Sequence, residues 1–380
     1  MRAVVFFISF LLCFIQGTVN AGLRGCEQQK CVVVVDVGST GSRLHVYSYD
    51  LDNDKSPIKI TERWSKKIKP GFATIEANKS AINAYLTNLF AGAPAYHTPV
   101  YFFATAGMRL LPKPKQQQYH ALVREWFNSK SNWQLMDSKT ITGSEEGVFG
   151  WLAVNYQLGT LNENSESIGV VDMGGASVQI AFPVKNTSDI DGKDIQELDI
   201  YGQHVTLFVH SFLGLGQNEV AHQFLDSPSC FISSYEMPTG ELAQGDAYSC
   251  KSEVSSLMNA VHQVSSVVQP GMATNPVSNW YVLGGLVDLV QSQPFDFNSQ
   301  EFTNQDLLEK AHSQVCQQQW STLNARYPNN DYLYGYCLFP AYYYALMVDG
   351  YGIQPQQNLK YLEAHQSSDW TIGVVLHQDA

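Results

Sequence analysis

The sequence is short of basic side chains and lacks the spacings typical of zinc sites. Its 380 residues include 23 Lys and Arg against 35 Asp and Glu, a formal net charge of −12 at pH 7. This balance disfavours nucleic acid and anionic membranes as general partners. A small anionic ligand stays compatible, provided that a metal ion and local hydrogen-bond donors neutralise it. No Cys-x-x-Cys pair and no His-x-x-x-His spacing occurs, which disfavours zinc sites.

Long apolar runs are also missing beyond the N-terminus. Residues 1–21 are typical of a secretory signal, with Arg2, an apolar core from Ala3 to Ile15, and small residues for cleavage at Val19–Ala21. The core is shorter than a membrane span needs, and an uncleaved anchor is the alternative. We therefore predict a secreted or periplasmic monomer without stable membrane insertion.

Cysteine use agrees with export. Once Cys13 leaves with the signal, six cysteines remain, and an even number in a secreted chain is typical of disulfides. Six cysteines allow fifteen connectivities. Pairing of sequence neighbours is the simplest of these, and it gives Cys26–Cys31, Cys230–Cys250 and Cys316–Cys337.

One stretch near the N-terminus joins a buried strand to a loop of small residues. Val32–Val35 predict an enclosed strand that ends at Asp36, and a second strand is expected from Leu44 to Tyr49. The loop between them, 38–42, has the sequence Gly-Ser-Thr-Gly-Ser, whose N–H groups and hydroxyls suit a phosphate. Asp36 would hold a metal ion, directly or through water. A tight hairpin with a buried aspartate explains this stretch equally well.

A second copy of the pattern favours the phosphate interpretation. Residues 168–182 again read as apolar strand, aspartate, small residues and apolar strand, with Asp172 lying 136 residues after Asp36. That spacing suits a duplicated domain better than a solenoid repeat, and chance similarity is the alternative. Two hairpins facing each other would clamp a polyphosphate, with one aspartate of each near the metal.

The segment 141–151 opens a helix that continues to about Leu158. Its first acid, Glu145, is explained by the helix dipole alone. Glu146 directly precedes Gly147, where the backbone can approach a substrate closely. A carboxylate at this place would orient and deprotonate a water molecule.

Periodicity predicts further elements along the chain. Strands are expected near 58–60, 99–104, 180–184, 195–200, 205–212 and 280–283. Helices are expected over 79–89, 116–129, 251–268 and 306–323.

Five motifs, in order, resemble those of the nucleoside triphosphate diphosphohydrolases, or apyrases, of the actin, sugar-kinase and heat-shock-chaperone superfamily. They are Asp36–Arg43, Ala104–Arg109, Gly143–Trp151, Asp172–Gln179 and a weaker Ser368–Gly373, and His210–Gly214 is also similar. Each motif alone is weak to moderate, whereas the ordered set is highly specific and spans most of the chain.

The resemblance implies a role for each matching residue. Glu146 would be the catalytic base, and Ser177 and Gln179 would hold the attacking water. Phosphate contacts would come from both hairpins and from the second motif: Gly38, Ser39, Thr40, Gly41, Arg43, Thr105, Gly174, Gly175 and Ala176.

The resemblance also implies a divalent cation, Mg²⁺ or Ca²⁺. Asp36 and Asp172 would hold it through its water shell, with Trp370 near the metal waters. A base pocket is expected on the second lobe, where aromatics crowd 332–351. Packing of those aromatic side chains in the hydrophobic core is the simpler explanation. Tyr344 and Asp288 are the candidates for contact with the nucleobase.

The expected fold is α/β, with two RNase H-like lobes of mixed sheets flanked by helices and the active site in the cleft between them. The first lobe would hold 22–141 and 357–380, including a C-terminal strand near 370–377. The second would hold 142–356.

The function expected from this resemblance is secreted, metal-dependent hydrolysis of nucleoside tri- and diphosphates to monophosphates by water that Glu146 activates. Two alternatives stay open. One is a nucleoside diphosphatase of the same family. The other is a secreted nucleotide-binding module without turnover, against which the intact Glu146, Ser177 and Gln179 argue.

Overall fold

A computed structural model describes residues 26, 29–94, 96–161, 168–297, 299–362 and 369–377. The predicted signal, 1–21, and Ser368 of the fifth motif lie outside the described residues. The chain forms two compact units, Met1–Ile141 with Val374–Ala380 and Thr142–Gly373.

The first unit is built on a five-stranded mixed sheet. Its strands are β1 (Lys30–Val37), β2 (Ser42–Leu51), β3 (Pro57–Ile68), β4 (Thr98–Ala104) and β5 (Trp133–Thr140). Their order is β3-β2-β1-β4-β5, antiparallel between β1, β2 and β3 and parallel between β1, β4 and β5. The helices are Lys79–Phe90, Ala106–Arg109 and Lys113–Asn128, with a 3-10 turn at Phe72–Thr74.

The central strand and the first long helix follow directly from their residues. Val32–Val35 are all buried, and β1, which carries them, has a hydrogen-bonded neighbour on each side. The helix begins after Asn78, whose side-chain oxygen accepts a hydrogen bond from the Ala81 N–H at 2.9 Å. Its apolar face buries Leu86 and Leu89. The predicted strand and helix are confirmed here.

The second unit holds a seven-stranded mixed sheet. Its strands are β6 (Ile168–Met173), β7 (Ser177–Pro183), β8 (Ile195–Ile200), β9 (Gln203–Leu213), β10 (Asn279–Gly284), β11 (Glu301–Thr303) and β12 (Asn358–Lys360). Their order is β11-β12-β10-β6-β7-β9-β8.

Helices and short turns accompany this sheet. The α-helices are Gly143–Leu158, Gln217–Gln223, Ala247–His262, Val264–Thr274, Gly285–Gln291, Asn304–Ala311, Trp320–Arg326 and Leu338–Tyr344. There are 3-10 turns at Gly192–Asp194, Pro228–Cys230 and Leu333–Gly335, and π-helical turns at His312–Cys316 and Ala345–Gly350. A further helix, Thr371–His377, spans the boundary between the units.

The two sheets repeat one topology. Strands β9-β7-β6-β10-β12 follow the order of β3-β2-β1-β4-β5, antiparallel in the first three strands and parallel in the last three. The central strand, β1 or β6, carries its aspartate, Asp36 or Asp172, one residue before its end. The predicted fold of two mixed sheets flanked by helices is confirmed.

Two predicted helices are interrupted. Residues 251–268 divide into Ala247–His262 and Val264–Thr274, because Gln263 between them adopts a left-handed φ of 53°. Residues 306–323 also divide, since the helix that begins at Asn304 changes to π geometry at His312. Neither break carries the glycine or proline punctuation on which sequence reasoning relies.

The C-terminal predictions need correction. Residues 371–377 form a helix, not a strand, and Gly373 lets it pack closely: a Cβ there would lie 2.1 Å from the backbone oxygen of Phe149. Tertiary packing overrides the β-propensity of this segment. Residues 357–362 and 369–373 belong to the second unit rather than the first, and within it β12 pairs with β10 and β11.

The cores and disulfides agree with the sequence-based expectations. Tyr342, Tyr343 and Tyr351 are fully buried, so most of the aromatic crowd is core, as the simpler explanation holds. The disulfides join Cys26 to Cys31, Cys230 to Cys250 and Cys316 to Cys337, which confirms the predicted pairing. Among the helices of the described residues, none has the length and apolar character to span a membrane.

Candidate active site

Two glycines pack directly against the first hairpin loop, 38–41. A Cβ on Gly71 would lie 2.0 Å from the backbone oxygen of Ser39, and one on Gly107 would lie 2.7 Å from the Ser39 Cα. Any larger residue at either place must displace the loop. In the hairpin register Asp36 of β1 is opposite Arg43 of β2, so these two residues flank the loop.

The second hairpin has the same construction. The Gly174 N–H donates to the Ser177 carbonyl at 3.1 Å, which closes the turn. A Cβ on Gly216 would lie 2.3 Å from the Ala176 nitrogen and 2.4 Å from the Gly175 carbonyl carbon. Asp172 pairs with Gln179 as Asp36 pairs with Arg43, so Gln179 takes the place that an arginine has in the first copy.

Thr105 follows β4 directly and is buried. Its N–H donates to the Val37 carbonyl at 3.1 Å, and its hydroxyl lies 3.4 Å from the same oxygen. Thr105 therefore ties the end of β4 to the end of β1, beside the first hairpin loop.

The two acids that open helix Gly143–Leu158 have separate roles. Glu145 forms a capping box with Thr142: its carboxylate accepts the Thr142 N–H at 2.7 Å, and its own N–H donates to the Thr142 hydroxyl at 3.1 Å. The capping box thus gives Glu145 a structural role at the start of the helix. Glu146 takes no part in the cap, and it is only 6% exposed.

Two glycines bring this helix close to strand β9. A Cβ on Gly143 would lie 2.2 Å from the Ser211 Cβ, and one on Gly147 would lie 2.6 Å from the Val209 Cγ1. Gly147 therefore makes room for a neighbouring strand, where the sequence suggested room for a substrate. The close packing sets Glu146 against the side chains of β7.

Gln179 is the centre of a buried hydrogen-bond network. Its Nε2 lies 2.7 Å from the Ser177 Oγ, 2.9 Å from the Ser211 Oγ and 3.2 Å from the Glu146 Oε2. A carboxylate accepts hydrogen bonds only, so the nitrogen end of the amide faces Glu146. Among the described residues, the buried Oε1 of Gln179 has no hydrogen-bond partner. This oxygen is suited to accept a hydrogen bond from a water molecule.

Asp172 lies in a strongly acidic environment. Burial, and after it the negative charges of Glu146 and Asp369, raises the pKa of Asp172 from 3.8 to about 8. The residue as a whole is half-buried.

The donor set fits a hydrated divalent cation. No group of three or more His, Cys, Asp or Glu side chains in the described part of the chain is arranged to ligate an ion directly. The charges of Glu146 and Asp369 nevertheless act on Asp172, which favours a cation nearby, and Mg²⁺ usually keeps several of its waters. The residues present therefore suit an ion held through water.

Trp370 is buried and stacks on Phe149, with ring centroids 6.1 Å apart and planes inclined by 20°. Its neighbour Asp369 accepts a hydrogen bond from the Thr371 N–H at 3.0 Å. Sequence reasoning gave no role to Asp369, although it lies in the fifth motif and its charge acts on Asp172.

The two base-pocket candidates have different surroundings. Tyr344 is partly exposed, and the Lys251 ammonium lies 5.7 Å from its ring centroid. Asp288 is exposed on helix Gly285–Gln291, and its charge acts on Tyr343, not on Tyr344. The fully buried Tyr343 donates its hydroxyl to Gln217 at 2.7 Å.

Ser211 is a second residue that the sequence did not single out. It lies in the segment His210–Gly214, which carried a resemblance without an assigned role. Only the pairing of β9 with β7, in which Ser211 is opposite Gln179, places its hydroxyl in the network.

Comparison with known proteins bears on the chemistry of this site. A profile described as the GDA1/CD39 (nucleoside phosphatase) family matches residues 23–231 and 237–379. The nucleoside-diphosphatase mig-23 of Caenorhabditis briggsae is 26% identical, over 98% of this chain and 81% of its own. Probable apyrase 1 of Oryza sativa subsp. japonica is 27% identical, over 92% and 82% of the two chains.

The fold is also found among solved structures. The crystal structure of nucleoside triphosphate hydrolases from Neospora caninum matches with a TM-score of 0.64 at 13% identity. The match covers 96% of this chain and 95% of that chain. At this identity the likeness concerns the fold alone.

Proposed function

The chain belongs to the GDA1/CD39 (nucleoside phosphatase) family, and from this premise we propose that it hydrolyses nucleoside tri- and diphosphates to the monophosphate and phosphate. The observation that carries the proposal is the buried contact between Gln179 and Glu146, beside which the buried Gln179 amide oxygen has no hydrogen-bond partner among the described residues. Phosphoryl transfer to water needs an aligned nucleophile and neutralised charge more than covalent help.

Glu146 is the proposed general base. It is buried beside Gln179 at the start of a helix, and Glu145 rather than Glu146 provides the cap. A water that donates to the Gln179 Oε1 and to Glu146 keeps a lone pair for the terminal phosphorus. Ser177, 2.7 Å from the Gln179 nitrogen, holds the amide and borders the same water.

The two hairpins are the proposed phosphate sites. In the first, the donors are Gly38, Ser39, Thr40 and Gly41, with Arg43 and Thr105 beside them. In the second, they are Gly174, Gly175 and Ala176. Preorganised backbone donors stabilise the charge that develops in the transition state, and the glycines packed behind each loop maintain that order.

A divalent cation, Mg²⁺ or Ca²⁺, is part of the proposal. Asp36 and Asp172 would hold it through water, with Trp370 close to those waters. The cation would supply charge neutralisation for the phosphates. The pKa of Asp172 is raised by burial and then by the charges of Glu146 and Asp369, and these neighbouring negative charges support the assignment.

Base contact and export complete the proposal. Tyr344 and Asp288 are the proposed contacts to the nucleobase, and stacking on a tyrosine tolerates any base. The three disulfides favour an oxidising compartment, so we propose that the protein is exported. A monomer is proposed as well.

A nucleoside diphosphatase is the second candidate. The relative mig-23, which aligns over 98% of this chain, is named for that activity. The two candidates share one site and one mechanism, and they differ only in whether triphosphates are used.

The deciding experiment measures phosphate release from ATP and from ADP by the mature protein, with Mg²⁺, with Ca²⁺ and with a chelator. Metal-dependent release from both nucleotides supports the proposal, and release from ADP alone supports the diphosphatase. Binding without release would leave a nucleotide-binding module.

Two variants at adjacent positions test the base. Glu146→Gln is expected to lose activity by about a hundredfold or more. Glu145→Gln is the matched control, because glutamine also completes a capping box. Equal activity of Glu146→Gln and the wild type would remove Glu146 from the base role.

A further inference from the structure

Ser211 of strand β9 makes one of the two short contacts that hold the Gln179 amide. The Gln179 Nε2 lies 2.9 Å from the Ser211 Oγ and 2.7 Å from the Ser177 Oγ, both closer than the 3.2 Å to Glu146. An amide nitrogen has two hydrogens, and here three oxygen acceptors compete for them. The two serine hydroxyls therefore fix where the nitrogen lies.

Packing confines the Ser211 side chain. A Cβ on Gly143 would lie 2.2 Å from the Ser211 Cβ and 2.3 Å from its Oγ, so the start of the helix abuts this serine. Val209, two residues earlier on β9, faces Gly147 of the same helix in the same way. The Ser211 hydroxyl is thus held between the helix start and Gln179.

We infer that Ser211 is a positioning residue that keeps the Gln179 carbonyl oxygen directed at the attacking water. The inference rests on the proposed function. If the amide turned over, its Oε1 would face the Glu146 carboxylate, and two acceptors would oppose each other. The Glu146 carboxylate, which only accepts, disfavours that orientation. The serine hydroxyls, Ser177 on β7 and Ser211 on β9, hold the amide in place beside this carboxylate, and Ser211 acts only through Gln179.

The expected kinetic effect is confined to turnover. In Ser211→Ala the nucleotide keeps its hairpin contacts, so KM stays within about twofold of the wild type. Because the hydrogen bond that positions the Gln179 amide is lost, kcat is expected to fall by about 5- to 10-fold. Because Ser211 acts through Gln179, it has no further effect once Gln179 has been replaced.

A double-mutant cycle on kcat tests this coupling. The set comprises wild type, Ser211→Ala, Gln179→Ala and the double variant, each with its melting temperature. Thr206→Ala, which removes a hydroxyl from the same strand, is the matched control. In Ser211→Cys the thiol is close to the hydroxyl in size but forms only weak hydrogen bonds. This variant repeats the test if the alanine variant does not fold.

The outcomes separate the inference from the function beneath it. We expect Ser211→Ala to lower kcat in the wild-type background and to leave it unchanged in the Gln179→Ala background. An unchanged kcat in Ser211→Ala, or an equal fall in both backgrounds, overturns the positioning role while the function stands. No hydrolysis by the wild type overturns the proposed function itself.

Discussion

The side-chain nitrogen of Gln179 lies 3.2 Å from a carboxylate oxygen of Glu146, and both residues are buried. Gln179 comes from strand β7 and Glu146 from the first turn of helix Gly143–Leu158. The contact needs a neutral amide, because a second carboxylate at the same place would repel the first. The charge at position 179 is therefore expected to control the pKa of Glu146.

Gln179→Glu is expected to raise the pKa of Glu146, since two like charges at hydrogen-bond distance share a proton. The pair then keeps a proton to higher pH than Glu146 alone does, so kcat falls and the acidic limb of its pH profile moves to higher pH. Measuring kcat across the pH range checks this. Gln196→Glu, on strand β8, adds the same charge outside the network and serves as control. An acidic limb that stays in place contradicts the expectation.

Gly71→Ala is expected to displace the first hairpin loop, since its Cβ would lie 2.0 Å from the Ser39 carbonyl oxygen. We expect the KM for nucleotide to rise about tenfold or more, and the free energy of unfolding to fall by about 1–3 kcal/mol. Gly192→Ala is the matched control, because nothing lies within 4 Å of the added methyl. Similar KM values for the two variants would show that nucleotide binding does not depend on the close packing of Gly71 against the loop.

His120 makes the stability of the first unit depend on pH. Burial, and after it the charge of Arg124, lowers the pKa of His120 from 6.5 to about 4. Its two ring nitrogens lie 2.9 Å from the Ser138 and Thr140 hydroxyls. As pH falls, the His120 imidazole is protonated in the unfolded chain before it is protonated in the folded protein. The stability contribution is therefore complete above pH 6.5 and is lost progressively toward pH 4.

The size of this effect is about 3 kcal/mol over that window, at 1.36 kcal/mol per unit of pKa. Urea unfolding of wild type and His120→Gln, followed from neutral pH down to about pH 4.5, isolates it. The variant is expected to lose much less stability over the range than the wild type. Parallel curves for the two proteins would exclude His120 as the titrating group.

The disulfides are expected to contribute according to the loops they close. Cys230–Cys250 spans 20 residues, and its double replacement by alanine is expected to cost about 3 kcal/mol in the free energy of unfolding. Cys26–Cys31 spans 5 residues, and its loss is expected to cost about 2 kcal/mol. Thermal unfolding of the two double variants checks the order, and the reverse order would contradict the loop argument.

Local patterns were enough to predict the parts of the site that lie within one hairpin. Buried valines, an aspartate and a run of small residues specify strand, strand end and turn over a few neighbours. The helix that opens within 141–151 was predicted as well, and the structure adds the capping box of Thr142 and Glu145 at its start. These features depend on interactions three or four residues apart, which the chain order shows directly.

Elements whose form depends on distant packing were predicted wrongly. Residues 371–377 are rich in β-branched side chains, yet they form a helix whose Gly373 packs against the Phe149 backbone. The break at Gln263 has a left-handed φ at a residue that carries no such signal. In both places a tertiary contact or a backbone bend outweighs local propensity.

The two aspartate hairpins follow from the sequence alone, because each depends on residues that are neighbours along the chain. The tertiary structure alone decided that Ser211 meets Gln179 and that Asp369 acts on Asp172. Those pairs are separated by 32 residues or more. Their approach depends on strand pairing and on glycine contacts between helix and sheet, which no local pattern records.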